Sequence, residues 1–371
     1  MNSGKYIIVH LVDTLFGGVA SVVANLINEQ HKHGFKTIVA YVYDDSAMDD
    51  MLDFKIEKIK VSLKTYPGYS MLFGMNVRSI YCDVKKRYPG YTVIVHAHNV
   101  QTVGLFARIK GIPIVCTLHS LRGEATGIRT TISDSIYRKI LKKIMRTHGA
   151  LSSVSYAIAE FYGRGKYDIC VIHNGICSPY KRVKQSKFTI VHVGNISKAK
   201  GWDITCDAFS RIPTEIRKEM RFISAGHLRG YKENDIKDIF KEKGISDESC
   251  YLGFINKAGD LVIPKADILV LASKNEGLGL VLIEAMAQGI PVLGARTGGI
   301  CEVIKDGYNG FFVNGSNEIA NRIMQLYADT EKYMQLSKNA LDTYREEFTS
   351  EKMHNRYIDL YKKVTDDKNN E

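Results

Sequence analysis

Short β-branched runs alternate with amphipathic stretches along almost the whole chain. In the first half, apolar runs of strand length fall at 5–12, 36–43, 92–96, 113–118, 150–155 and 168–172. Between them, apolar positions recur with helical spacing over 18–33, 70–87, 101–110 and 132–148. The second half repeats the pattern, with strands at 188–194, 219–225, 249–252, 267–272 and 291–295 and helices at 202–211, 233–243, 279–288 and 300–305. Such alternation predicts an α/β fold of parallel, doubly wound sheets that bind ligands at the carboxyl ends of strands. Two Rossmann-like domains are expected, one over 1–178 and one over 188–349. The polar, basic stretch 179–187, with Pro179, reads as a linker between them. Beyond 316 the pattern is helical, and 350–371 reads as a last helix with a polar tail.

The densest chemistry follows one of these strands. Ala266-Asp267-Ile268-Leu269-Val270-Leu271-Ala272-Ser273 reads as a buried parallel strand, and Leu280 to Gln288 as a short helix stopped by Gly289. Between them lies the turn Gly277-Leu278-Gly279, and two carboxylates stand eight positions apart, Glu276 and Glu284. A strand, a glycine turn and a helix start form an anion site, because the first N–H groups of a helix lack internal partners and its dipole is positive there. Glu276, on the turn, can reach a sugar. Glu284, within the helix, can accept from a ribose diol. The plainer alternative is a strand–turn–helix unit carrying two exposed glutamates.

Composition narrows the setting. The 371 residues, 45% hydrophobic and 25% charged, suit a soluble chain with two domains. Seven scattered cysteines without a C-x-x-C pair point to reduced thiols in a cytosol rather than to disulfides or zinc. No signal peptide precedes the strand Lys5 to Val12, and no long uncharged apolar window is present, so nothing is expected to span a membrane. The net charge of +11 is uneven: residues 1–178 hold 22 Lys+Arg against 13 Asp+Glu, and residues 179–371 hold 29 against 27. A basic first half points to an anionic membrane surface, a lipid diphosphate or nucleic acid, or simply to solubility.

The segment Ser273 to Gly299, SKNEGLGLVLIEAMAQGIPVLGARTGG, resembles the signature of the retaining glycosyltransferases of family four. The resemblance implies a GT-B enzyme: two Rossmann-like domains facing across a cleft, the last helix crossing back to the first domain, and a sugar moved from a nucleotide-sugar donor. It assigns donor binding to the glutamate pair and to the turn Gly277, Leu278, Gly279 and Leu280. Gly17-Gly18, between the first strand and the helix of Val19, Val22, Val23, Leu26 and Ile27, would face the donor diphosphate and the acceptor; alone the pair reads equally as a tight turn. His119, closing the run Pro113 to Leu118, matches the histidine that contacts the transferred sugar. In HVGNISKAKGWD, residues 192–203, Lys200 matches the lysine on the diphosphate, but the family's arginine position holds Asn195. Asparagine can donate a hydrogen bond but carries no charge. Either Lys198 compensates, or the diphosphate leans on Lys200 and the turn. The Asn174-Gly175 step and Gly298-Gly299 match positions of structural weight. The nucleobase is expected against the backbone near Gly253-Phe254-Ile255.

Other features qualify this picture. His96 and His98 sit at a strand end, but a metal site would need a third ligand, and a structural or acceptor-side role is expected. In the helix of 129–148, Ile132, Ile136, Ile140 and Ile144 share an apolar arc, while Arg138, Lys139, Lys142, Lys143 and Arg146 occupy the rest. The helix is either membrane-facing on an anionic bilayer or packed on a sheet with a solvated basic face. No D-x-D, no P-loop and no Rossmann G-x-G-x-x-G occurs, against metal-dependent transfer, ATP hydrolysis and dehydrogenation. The expected function is a retaining hexosyl- or N-acetylhexosaminyltransferase with catalytic Glu276, His119 and Lys200. It would use a UDP-sugar and a lipid-linked or oligosaccharide acceptor in cell-surface polysaccharide synthesis. It would need no metal or other cofactor and no nucleic acid, and would work in the cytoplasm on the inner face of the cell membrane. The alternatives are a sugar-nucleotide epimerase of GT-B architecture and, from another class, a basic nucleic-acid-binding protein.

Overall fold

A computed structural model of the protein describes residues 5–15, 17–43, 48–52, 54–61, 72, 74–120, 128–163, 166–177 and 181–366, and the side chains within them except those of 128–133. The chain divides into two compact units. One comprises residues 1–175 together with 349–371, the other residues 176–348.

The first unit holds seven parallel strands: β1 (Tyr6–Thr14), β2 (Lys36–Tyr43), β3 (Glu57–Lys60), β4 (Thr92–His98), β5 (Ile114–Leu118), β6 (Ala150–Ser153) and β7 (Ile169–Val171). They lie in the order β3-β2-β1-β4-β5-β6-β7. Order therefore reverses between β1 and β4, the switch point at which a doubly wound sheet opens a crevice at its carboxyl edge. Register aligns His10 of β1 with His96 of β4, and His98 with Thr117 of β5. The helices Gly17–Lys32 and Ser350–Asp366 pack together on this sheet. The last helix buries Met353, Tyr357, Leu360, Tyr361 and Val364, an apolar stripe at helical spacing. It belongs to the first unit, and its Ser350 hydroxyl bonds Glu29 of the helix Gly17–Lys32 at 3.2 Å.

The second unit has six parallel strands: β8 (Phe188–Val193), β9 (Met220–Ala225), β10 (Ser249–Tyr251), β11 (Ile268–Leu271), β12 (Val292–Gly294) and β13 (Gly310–Phe312), in the order β10-β9-β8-β11-β12-β13. Its switch point lies between β8 and β11. The core gathers Trp202, Phe209, Phe222 and Phe240 with aliphatic residues of the sheet. The stretch expected as a linker is, from residue 181 on, fastened to this unit: Arg182 pairs with Asp267, and Val183 N–H donates to Pro264 O at 2.7 Å.

Several elements differ from expectation. The helix expected at 101–110 ends at Val103, where Gly104 turns left-handed at φ 79°. The helix expected from 70 begins at Val77, after Asn76 at φ 49°; residues 70, 71 and 73 lie outside the described residues, as do residues 1–4 and 367–371. The helix after the glycine turn is only Leu280–Met286. The edge strands β3 and β13 and the helix Tyr156–Gly163 were not expected. Among the described residues no helix is long and apolar enough to cross a membrane.

Candidate active site

Two glutamates, one lysine and a clamped turn stand at the switch point of the second unit. β11 runs through Ala272 into Ser273, whose hydroxyl donates to Glu276 Oε1 at 3.0 Å. Lys200 pairs with the same oxygen. Lys200 ends the one-turn helix Lys198–Lys200, which Ser197 caps by accepting from the Lys200 N–H. The next residue must be glycine. Gly201 has φ 68°, and a Cβ there would meet Ala272 O at 2.1 Å. That close approach brings the lysine loop onto the end of β11, where Lys274 N–H also donates to Ala199 O at 2.9 Å. On its other side the turn rests on Gly299, whose N–H donates to Glu276 O at 3.0 Å and whose Cβ would meet Gly277 O at 2.1 Å. The glutamate turn is thus held between two backbones.

Leu278 is buried, so the turn Gly277–Leu280 offers its backbone rather than that side chain. The first N–H groups of the helix Leu280–Met286 have no acceptor within it. Glu284 has different neighbours from Glu276. It is half-buried against Gly259, where a Cβ would come within 3.0 Å of the carboxyl carbon, and burial and then Asp260 push its carboxyl up to about 7. Asn195 and Lys198 stay exposed, and of the residues in this loop it is Lys200 that reaches Glu276. Beside Gly253, the exposed Phe254 ring stacks on His227 at 3.8 Å between centroids.

In the first unit, Gly17 (φ 78°) and Gly18 lie exposed where β1 gives way to its helix. His119 follows β5 and is half-buried. Its Nε2 lies 3.0 Å from His98 Nδ1, and burial lowers its pKa to about 4, so the ring is neutral at physiological pH. His98 is bonded in turn to His10, and His10 to Gln30. His96 lies between Tyr361 and Thr117. Sequence reasoning missed His10, because only the β1–β4 register brings it beside His96 and His98. Nitrogens of His10, His96 and His98 lie within 4.8 Å of one another, close enough for a metal, yet every ring nitrogen of the three is engaged in a hydrogen bond. As they stand they form a satisfied network rather than an open ligand set. Asp13, also unforeseen, is half-buried near the end of β1, with its carboxyl pushed up to about 6 by burial.

The basic helix is Ile128–Arg146. It buries Tyr137, Ile140, Leu141 and Ile144 in the core and leaves Lys139, Lys142 and Arg146 exposed, with Arg138 half-buried. Lys143 departs from the expected outward arc: its ammonium donates to Leu105 O at 2.7 Å, and burial lowers its pKa. It is anchored in the fold and not offered to a partner.

Two family models cover most of the chain: one described as Glycosyltransferase Family 4 matches residues 16–177, and one described as Glycosyl transferases group 1 matches residues 179–343. The N-acetyl-alpha-D-glucosaminyl L-malate synthase of Bacillus anthracis is 29% identical over 301 residues, 74% of this chain and 76% of its own length. The crystal structure of Anabaena Alr3699/HepE in complex with UDP and glucose superposes with a TM-score of 0.74 at 19% identity, over 95% of this chain and 98% of that one. WaaG, a glycosyltransferase involved in lipopolysaccharide biosynthesis, superposes with a TM-score of 0.67 at 16% identity, over 97% of this chain and 98% of that one.

Proposed function

From a chain that belongs to the family 4, group 1 glycosyltransferases and has their GT-B type of fold, we propose a specific reaction: transfer of a hexosyl or N-acetylhexosaminyl group, with retention, from a UDP-sugar to a lipid-linked or saccharide acceptor in cell-surface polysaccharide synthesis. The observation that carries this reading is the Lys200–Glu276 contact beside the glycine turn. A cation and a sugar-binding carboxylate then stand together where a diphosphate meets its sugar. A UDP donor is supported by the UDP and glucose held in the Anabaena structure, an N-acetylhexosamine by the activity named for the Bacillus relative, and a cell-surface product by the pathway of WaaG.

In this reading Glu276 holds sugar hydroxyls, Glu284 the ribose diol, and Lys200 with the Gly277–Leu280 backbone the diphosphate. No carboxylate of the site is assigned as a covalent nucleophile. The acceptor hydroxyl attacks the anomeric carbon on the face the nucleotide leaves. The bond to the diphosphate oxygen breaks, and that oxygen takes the acceptor's proton. The protein's part is positioning and stabilisation of the leaving charge. With asparagine at 195, Lys200 supplies this stabilisation without a neighbouring arginine. His119, neutral in its buried setting, contacts the sugar through hydrogen bonds rather than charge. No metal takes part in this scheme. Arg138, Lys139, Lys142 and Arg146 would rest the first unit on an anionic cytoplasmic leaflet, near a lipid-linked acceptor.

The test is UDP release across a panel of nucleotide sugars, with and without membrane extract. Release that needs both one UDP-sugar and an extract component, and that survives exhaustive EDTA, is expected. UDP release without any acceptor would favour an epimerase. Loss with EDTA and recovery with manganese would overturn the metal-free scheme.

A further inference from the structure

Three imidazoles and one amide form a continuous chain beneath the carboxyl ends of β1, β4 and β5. Gln30 Oε1 lies 2.9 Å from His10 Nε2, His10 Nδ1 lies 3.0 Å from His98 Nε2, and His98 Nδ1 lies 3.0 Å from His119 Nε2. A second branch leaves Gln30 Nε2 for Tyr361 OH at 3.2 Å. It continues to His96 Nδ1 at 2.7 Å, then from His96 Nε2 to Thr117 Oγ1 at 2.7 Å and on to Ser152 Oγ at 2.7 Å. Gln30, His10, His96 and His98 are fully buried. Burial keeps the rings neutral: His10 and His119 are pushed down to about 4, and His96 and His98 well below their ordinary range.

A neutral imidazole has one N–H and one lone pair. A ring bonded at both nitrogens must donate at one and accept at the other. The direction taken at one end of such a chain is therefore imposed on the other end. Gln30 carries its donor and its acceptor on separate atoms, and it sits at the inner end. Its Nε2 donates to Tyr361 OH, which leaves Oε1 to accept from His10 Nε2–H. His10 Nδ1 then accepts from His98 Nε2–H, and His98 Nδ1 accepts from His119 Nε2–H. The second branch takes its direction from the same amide orientation, and the opposite orientation would reverse both branches together. Tyr361, having accepted from Gln30, gives its proton to His96 Nδ1, and His96 donates to Thr117. A reversal at any single link would set two donors or two acceptors against each other, at a full desolvation cost.

We propose that Gln30, His10 and His98 are positioning residues that hold His119 as its Nε2–H tautomer, so that its Nδ1 offers a lone pair to a hydroxyl of the transferred sugar. The role in transfer rests on the reading of His119 as a sugar contact; the tautomer itself does not. The hydrogen bond made by one ring nitrogen decides what the other presents. The other tautomer would make His119 the donor and leave that hydroxyl to accept instead. The chain also accounts for a buried glutamine on the core face of the helix Gly17–Lys32, a costly residue there unless both ends of its amide are bonded.

Nitrogen-15 NMR of the full-length, ligand-free protein labelled at histidine reads the tautomer without any substrate. His119 is expected to show a protonated Nε2 and a bare Nδ1. A protonated Nδ1 would overturn the proposal. Gln30→Met keeps the side chain's length and removes both polar atoms, so His119 should become a mixture of tautomers; an unchanged His119 spectrum in the folded variant would also overturn it. In the transfer assay, Gln30→Met should lower kcat/KM roughly 10-fold, as loss of a residue that orients a functional histidine does, and His119→Ala should lower it at least as far. Full activity in Gln30→Met beside a defective His119→Ala would remove the positioning role. Full activity in both would instead remove the sugar contact, and with it the role in transfer, while the NMR result stands for the tautomer.

Discussion

At the scale of the residue, Glu284 stands well out of its ordinary state. Burial and Asp260 raise its carboxyl to about 7, and Asp260 is itself raised by burial while Lys257 opposes that shift. A protonated carboxyl is a poor acceptor for a ribose diol, and an ionised one is a strong acceptor. UDP should therefore bind more tightly as pH rises through about 7, with release of a proton at the lower end of that range. Calorimetry in buffers of different ionisation enthalpy should detect that proton. Glu284→Gln should remove this part of the pH dependence and lose about 1.5–3 kcal/mol of UDP affinity at high pH. Equal pH profiles in the two proteins would detach Glu284 from the ribose. The pairing of Lys200 with Glu276 could be anticipated from two short motifs, because each follows a strand at the same switch point. His10 could not, since nothing near it in sequence distinguishes it from other buried strand residues.

At the scale of the element, the glycine turn depends on its neighbours' lack of side chains. A Cβ on Gly299 would lie 2.1 Å from Gly277 O, so Gly299→Ala must displace the turn that carries Glu276. Overpacking of this kind costs about 1–3 kcal/mol. The melting temperature should fall, and UDP should restore less of it than in the parent protein. A variant whose UDP-induced shift is unchanged would mean that the turn does not meet the nucleotide. The central strands were legible because their β-branched runs are continuous and buried. β3 was not, because Glu57-Lys58-Ile59-Lys60 is a charged edge strand, the form that resists edge-to-edge pairing. β13, with Gly310-Phe311-Phe312, is too short to carry a period. The helix expected over 101–110 failed at Gly104, whose left-handed backbone stops it whatever the apolar pattern beyond.

At the scale of the whole molecule, buried histidines set the acid limit. His10, His96, His98, His119 and His354 all titrate below the ordinary range in the folded first unit, with His10, His119 and His354 at about 4. Unfolded, they would take up protons near 6.5. Their contribution to stability is thus complete above about 6.5 and is lost as pH falls from there toward 4. Thermal melting at about pH 7.5 and about pH 5 should show a marked fall, and a flat profile would mean these rings are hydrated in solution. The uneven charge bears on a different property. Replacing Arg138, Lys139, Lys142 and Arg146 with glutamine, and sparing the anchored Lys143, should weaken sedimentation with anionic vesicles at low salt and leave UDP affinity intact. Equal pelleting of the two proteins would make this helix an ordinary solvated face. The Lys200–Glu276 contact, finally, bears on turnover. On the proposed reading, the carboxylate competes from within for the ammonium that the diphosphate needs. An intact donor satisfies both partners, since its sugar occupies Glu276 while its phosphates occupy Lys200. Spent UDP satisfies only one, and the glutamate left behind reclaims its lysine, so the site tends to eject its own by-product.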